Sequence, residues 1–137
     1  MTRLIKFRAF VQDVKEMQSV LMIWLNGDNY GLQFTNGTTT TLSTTAAKEG
    51  VKLMQFTGLK DKNGKEIYEG DICKCHDHPT GIEDATGEVI FDQGRYWIGT
   101  GSICSLDDYG TAWTEVLGNI YENPELIPRA AGAVQLT

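Results

Sequence analysis

The chain has no hydrophobic run long enough to cross a bilayer. Its longest, VLMIWL at 20–25, falls far short of the roughly 20 residues a spanning helix needs. The basic opening runs straight into VQDVKEMQ with no apolar core behind it, so no secretory leader is expected. Cysteines number 3, an odd count that does not make a disulfide framework, and reduced thiols in a cytoplasm are the natural reading. Positive charge is nearly missing from the second part. The net charge is −6, the sum of +1 over residues 1–72 and −7 over residues 73–137, a balance that repels phosphate backbones and disfavours nucleic acid. The glycine fingerprints of nucleotide sites, the H-E-x-x-H zinc motif and the G-x-S-x-G nucleophile turn are absent too. No enzyme and no cofactor is therefore expected.

What is present is glycine next to asparagine or aspartate, with short apolar segments between. That rhythm predicts a mostly β fold of short antiparallel strands. SVLMIWL (19–25), NYGLQF (29–34) and TTTTLS (38–43) are separated by Asn26-Gly27-Asp28 and Asn36-Gly37, and together predict an N-terminal β meander. TTAAKEG (44–50) reads as a connector with the length of one or two helical turns. KLMQFTGL (52–59), DICKC (71–75), GEVIFD (87–92), RYWIG (95–99) and AWTEVLGNIY (112–121) follow as further strands. Their order, with a tight turn at Gln93-Gly94, predicts an SH3-like, partly open barrel. Arg3, Lys6 and Arg8 in the opening segment read as cations guarding an edge strand. Asn123 and Pro124 read as the N-cap and first residue of a short helix. The expected division is 1–50 for the N-terminal subdomain and connector, 51–128 for the barrel, and 129–137 for a tail.

LMQFTGLKDKNGKEIYEGDI (53–72) resembles the hallmark of the YopX protein family of phages and prophages. IKFRAF (5–10) is similar to that family's opening, with Phe10 where Trp is commoner. EVLGNIYENPEL (115–126) is similar to its closing motif, with Leu117 where Ile is commoner. The resemblance implies a β-rich protein acting in a bacterial host cell, and it brings no established activity or catalytic residue. Read physically, Gly58, Gly64 and Gly70 recur every six residues at expected turns, and Asp61 and Asn63 can accept backbone N–H groups across the bend. With Tyr68 and Asp71 they form a rigid folding element.

DICKCHDHP (71–79) raises the question of a metal. Cys73, Cys75, His76 and His78 would all lie in one short run, and zinc ligands usually come as two separated pairs. On a strand the two cysteines face one way and the two histidines the other. The expectation is therefore no metal, with Cys73 and Cys75 as small core fillers. Adjacent acids, Glu83/Asp84 and Asp107/Asp108, read as solvated loop residues.

Aromatic residues are the more informative constellation. Tyr96 and Trp97 are neighbours on one strand and must face opposite ways, so one of them is expected outside. Arg95, Tyr96, Trp97, Asp107, Asp108 and Tyr109 are the candidate partner-binding face, in the manner of peptide grooves on small barrels. The expected function is a non-catalytic binding or assembly module in the cytoplasm, its partner a protein or another copy of itself. A nucleic-acid-binding accessory or regulatory role is the alternative, and would need Arg3, Lys6, Arg8, Lys60, Lys62 and Lys65 on one face. A zinc-binding protein built on Cys73–His78 is the third reading.

Overall fold

A computed structural model describes residues 4–43, 50–75, 85–99, 104–106 and 110–127. The described elements are β1 (Phe7–Val11), β2 (Glu16–Asn26), β3 (Asn29–Phe34), β4 (Thr39–Ser43), β5 (Val51–Lys60), β6 (Glu66–Tyr68), β7 (Asp71–Cys75), β8 (Ala85–Asp92), β9 (Arg95–Ile98), β10 (Cys104–Ser105) and β11 (Thr114–Asn119). Short 3₁₀ turns occupy Gly110–Trp113 and Pro124–Leu126, and no α-helix occurs among the described residues. The strand order is β4-β3-β2-β1-β5-β6 in one sheet and β10-β9-β8-β7-β11 in the other. The expected mostly β, antiparallel class is therefore met, and the second sheet is open, with β10 and β11 at its edges. The threonine-rich run is indeed a strand, β4. The chain divides into two compact units, Met1–Phe56 and Thr57–Thr137.

In the first unit, Ala9 and Val11 of β1 pair across to Leu53 and Val51 of β5. Leu32, Phe34, Val20, Ile23 and Tyr30 complete this cluster, with Ala9, Leu32, Phe34 and Val51 buried. β1 is not an edge strand. β2 pairs with it on one side and β5 on the other, because the long strand β5 returns antiparallel along it. Arg8 thus lies half-buried in mid-sheet, opposite Ser19 and Met54, and Lys6 rests its ammonium 5.3 Å from the centre of the Phe56 ring.

β2 carries an irregularity that decides its surface. Val20 pairs with Phe34, yet Met22 pairs with Gln33, so Leu21 is an extra residue between them. Such a bulge shifts the alternation by one. Ile23 then meets Leu32 in the core, while Met22 and Trp24 pair with Gln33 and Gly31 on the opposite face.

The second unit's core holds Ile67, Cys73, Cys75, Val89, Tyr96, Ile98 and Leu106, flanked by Leu59, Trp113 and Val116. Pro124 does begin its 3₁₀ turn, but Asn123 is not a side-chain cap. Its amide oxygen accepts instead from the Asn119 N–H, at 3.2 Å, which ties the turn back to β11.

Burial separates the leucines of the first unit. Leu32→Ala should lower the unfolding free energy by about 3 kcal/mol, whereas exposed Leu21→Ala should change it by less than about 0.5 kcal/mol. Urea denaturation followed by circular dichroism measures both, and similar losses would contradict the bulge.

Candidate functional site

The segment that carries the family resemblance forms a double turn closed by one carboxylate. Gly58, Gly64 and Gly70 have φ of 89°, 85° and 83°. At Gly64 the bend is tightest: its N–H donates to the Asp61 carbonyl at 2.9 Å, and the Asp61 N–H donates to the Lys65 carbonyl at 2.8 Å. A positive φ inside so short a loop is a glycine conformation. The Thr57 hydroxyl donates to the Ile67 carbonyl, 2.7 Å, and accepts the Leu59 N–H, 3.1 Å.

Asp61 is buried. Its Oδ1 accepts the N–H groups of Asn63 and Lys65 at 2.8 and 2.9 Å, and its Oδ2 accepts that of Val116 on β11 at 2.9 Å. Burial works against ionisation, but the hydrogen bonds from Val116, Lys65 and Asn63, with the nearby Lys65 charge, hold the carboxyl below its ordinary value of 3.8. Lys62 adds a backbone bond to the Thr114 carbonyl, 3.0 Å. The turn is thereby fastened along β11. Asp71, also buried, accepts the Tyr68 N–H at 2.8 Å and closes the second bend.

The closing motif is built the same way. Buried Asn119 accepts the N–H groups of Tyr121 and Glu122 and donates from its own amide to Glu122, at 3.0, 2.9 and 2.7 Å. These are local side-chain-to-backbone bonds that fix a turn. Every buried polar side chain in the two motifs thus holds backbone.

Cys73 and Cys75 are buried among Ile67, Val89, Tyr96 and Ile98. His76, Asp77 and His78 lie outside the described residues, as do Glu83 and Asp84. Among the described residues no cluster of histidine, cysteine or acid could hold a metal ion.

Of the expected partner-binding face, Asp107, Asp108 and Tyr109 also lie outside the described residues. The other three are on the β8–β9 hairpin, where Gln93 and Gly94 both have positive φ, 50° and 82°, the signature of a tight primed turn. Arg95 lies 5.4 Å over the Trp97 ring, and the indole N–H donates to the Asp92 carbonyl at 3.0 Å. Trp97 is half-buried and held flat, and Tyr96 is buried in the core. The exposed aromatic of this hairpin is Phe91, edge-on to Tyr96 with ring centres 5.0 Å apart.

Sequence reading did not find Glu88 as a site residue. Ile90 pairs with Trp97, and Glu88, two residues earlier, shares that side of the sheet. Burial pushes its carboxyl pKa up. Tyr121 is raised by burial and by the Glu88 charge, so the two groups are coupled. The alternation of GEVIFD contained the signal, since Glu88 and Ile90 had to lie on one face. An acid raised by its surroundings beside an aromatic platform is a recognised mark of a ligand-contacting surface.

Leu21, Met22, Trp24 and Leu25 of β2 are the larger omission. They are 65%, 50%, 38% and 81% exposed, and the stretch from Ser19 to Gly27 holds no charged residue. The Trp24 ring is pinned against Gly31, where any Cβ would run into the indole.

Two titrations follow. Asp61→Ala removes the acceptor of three backbone N–H groups and should cost about 2 kcal/mol of stability at neutral pH. Because the folded-state pKa is depressed, the stabilisation is complete well above pH 3.8 and fades as pH falls through and below that value; thermal melts of both proteins should therefore converge in acid. Glu88 has the opposite sign. Its raised pKa makes the charged form a burden at neutral pH, relieved as pH falls through that pKa. Glu88→Gln should melt no lower than the unaltered chain at pH 7 and should bring the Tyr121 titration, read by ultraviolet absorbance, back toward 10.0. An unmoved tyrosine would break the coupling.

Comparison with known proteins agrees with the motif reading. Residues 6–128 match the YopX protein family. The fold is similar to a crystal structure of protein EF1440 from Enterococcus faecalis, with a TM-score of 0.62, 28% identity, and coverage of 93% of this chain and 100% of that one. It is also similar to protein yopX from Bacillus subtilis, with a TM-score of 0.56, 19% identity, and coverage of 95% and 100%. No curated protein matches the sequence. The matched span covers nearly all of the chain and both of its motifs, and on that ground the chain belongs to the YopX protein family.

Proposed function

We propose that this chain is a non-catalytic binding or assembly module that recognises another protein through an uncharged apolar surface. The observation that carries the reading is the exposed apolar stretch of β2, where the bulge leaves Met22 and Trp24 on the face of Gln33 and Gly31 beside the extra residue Leu21, while Leu25, opposite Tyr30, is exposed on the other face. Large apolar side chains grouped on a surface mark interaction sites, and an aromatic held in one orientation gives contact area at little entropic cost. The Arg95–Trp97 stack on β9 offers a second contact of the kind enriched at protein interfaces.

The buried polar groups support the same reading from the other side. Asp61, Asp71 and Asn119 have their lone pairs directed at backbone N–H groups, and groups so engaged are poor proton carriers. The basic residues a nucleic-acid interface would use are divided: Lys6 and Arg8 belong to the first unit, and Lys60, Lys62 and Lys65 to the second. A phage or prophage origin, implied by the family resemblance, suits a small accessory module. A cytoplasmic site suits two buried cysteines on one strand, and no described helix is long and apolar enough to cross a membrane.

The test is photocrosslinking in bacterial cells with a photoreactive phenylalanine analogue replacing Met22. A discrete protein adduct is expected, and it should disappear when Leu21 and Trp24 are both changed to serine. No adduct, or adducts to nucleic acid alone, would overturn the proposal.

A further inference from the structure

Three Asn-Gly pairs occur in the chain, Asn26-Gly27, Asn36-Gly37 and Asn63-Gly64, and all of these residues are exposed. The pairing has a chemistry of its own. A glycine nitrogen, which no side chain shields, can attack the Cγ of the preceding asparagine and close a succinimide ring. The nitrogen must first give up its proton, and the asparagine amide must be free to turn onto it. Nearby negative charge opposes the deprotonation. The fold treats the three pairs differently on these counts.

At Asn36-Gly37 the amide is engaged at both ends. Its oxygen accepts the Thr38 N–H at 2.9 Å and the Thr38 hydroxyl at 2.7 Å, and its nitrogen donates to Gln18 at 3.2 Å. The Gly37 N–H donates to the Phe34 carbonyl at 3.0 Å. At Asn63-Gly64 the Gly64 N–H donates to the Asp61 carbonyl at 2.9 Å. The Asp61 carboxylate also holds the N–H groups of Asn63 and Lys65, one on either side. An N–H already bonded to a carbonyl, with a buried charge beside it, does not readily lose its proton.

Asn26-Gly27 carries none of these restraints. The pair Asn26↔Asn29 ends the β2–β3 ladder, so Gly27 and Asp28 form a two-residue hairpin loop. Among the described residues, neither the Gly27 N–H nor the Asn26 side-chain amide makes a hydrogen bond. Asp28 brings a negative charge, but it is exposed, where water and salt screen it.

We propose that Asn26 is a site of spontaneous modification, which places a negative charge on the face of β2 that carries Met22 and Trp24. The three residues alternate along one unbroken register, opposite Gln33, Gly31 and Asn29, and so share one side of the strand. The Gly27 nitrogen loses its proton and bonds to the Asn26 Cγ, and the side-chain nitrogen leaves as ammonia with a proton added. A solvent water then adds to one of the two ring carbonyls and breaks its bond to the Gly27 nitrogen, which regains a proton. Addition at Cγ leaves aspartate. Addition at the backbone carbonyl leaves isoaspartate, with the chain rerouted through the side chain. Nothing is oxidised or reduced, and either product ionises to a carboxylate.

The stretch from Ser19 to Gly27 is otherwise uncharged. A partner covering Met22 and Trp24 would have to strip water from the new carboxylate, which costs free energy. That consequence rests on the β2 reading, whereas the modification itself does not.

The test is peptide mapping by mass spectrometry of the full chain held at mildly alkaline pH. Aspartate and isoaspartate are expected to accumulate at Asn26 well ahead of Asn36 and Asn63, and in urea the three positions should react alike. Asn26 with no lead in the folded chain would overturn the site. So would the same lead in urea, because the order would not then come from the fold. The consequence is read separately by the Met22 photocrosslink, whose adduct Asn26→Asp should reduce several-fold; an undiminished yield refutes the effect of the charge. A chain that forms no adduct with Asn26 in place refutes the β2 reading and the consequence with it, and the peptide map still decides the site.

Discussion

A single carboxylate, that of Asp61, gathers three backbone N–H groups from two distant parts of the sequence. Two of the donors belong to its own turn, and the third, Val116, is 55 residues away on β11. Without the long-range bond, the turn would still close, but only the Lys62 N–H to Thr114 carbonyl bond would fasten it along β11. Without the local bonds, the carboxylate would have no fixed position from which to reach β11. The burial that makes the charge costly is offset only when all three donors are in place, so the turn and the edge strand form together. A charged group stabilised in this way specifies a unique register better than an apolar contact, because a shift of one residue would strand it.

The same logic of strand edges and registers runs through the first unit. Its core is a set of cross-strand pairs, Ala9 with Leu53, Val11 with Val51, and Ile23 with Leu32. The extra residue at Leu21 interrupts β2 at the point where strict alternation from Val20 would have sent Met22 and Trp24 inward. One inserted residue therefore puts Ile23 against the core in their place and leaves Met22 and Trp24 on the exposed face.

Much of this was legible in the sequence. Turn chemistry located the strands: Asn26-Gly27, Asn36-Gly37 and Gln93-Gly94 each separate strands in the structure. The motif residues marked the family through the turn at 53–72. What could not be read was anything that depends on which strand lies beside which. Arg8 looked like an edge guard, and nothing local says that β5 will return along β1 and place it mid-sheet. Asn123 looked like a helix cap because Pro124 follows it, but the competing N–H of Asn119 is in a different element. The β2 bulge leaves no composition signal at all, since Leu21 is as apolar as its neighbours, and it is defined only by β3. Glu88 lay in plain view on an alternating strand. Its environment is not local either, because burial raises its pKa and its charge acts on Tyr121, which lies beyond β11.

The same limits apply to the proposed function. A site made of buried polar groups announces itself by residue type at fixed spacing, and here such residues, Asp61, Asp71 and Asn119, are occupied in holding turns. The proposed surface is made of ordinary residues, leucine, methionine and tryptophan, whose meaning comes from exposure and pairing. Met22 and Trp24 are on the exposed face because the bulge turns them out. That property does not belong to the residues. It is created by the register of β3 against β2, so one strand, itself buried at Leu32 and Phe34, decides which side chains its neighbour exposes.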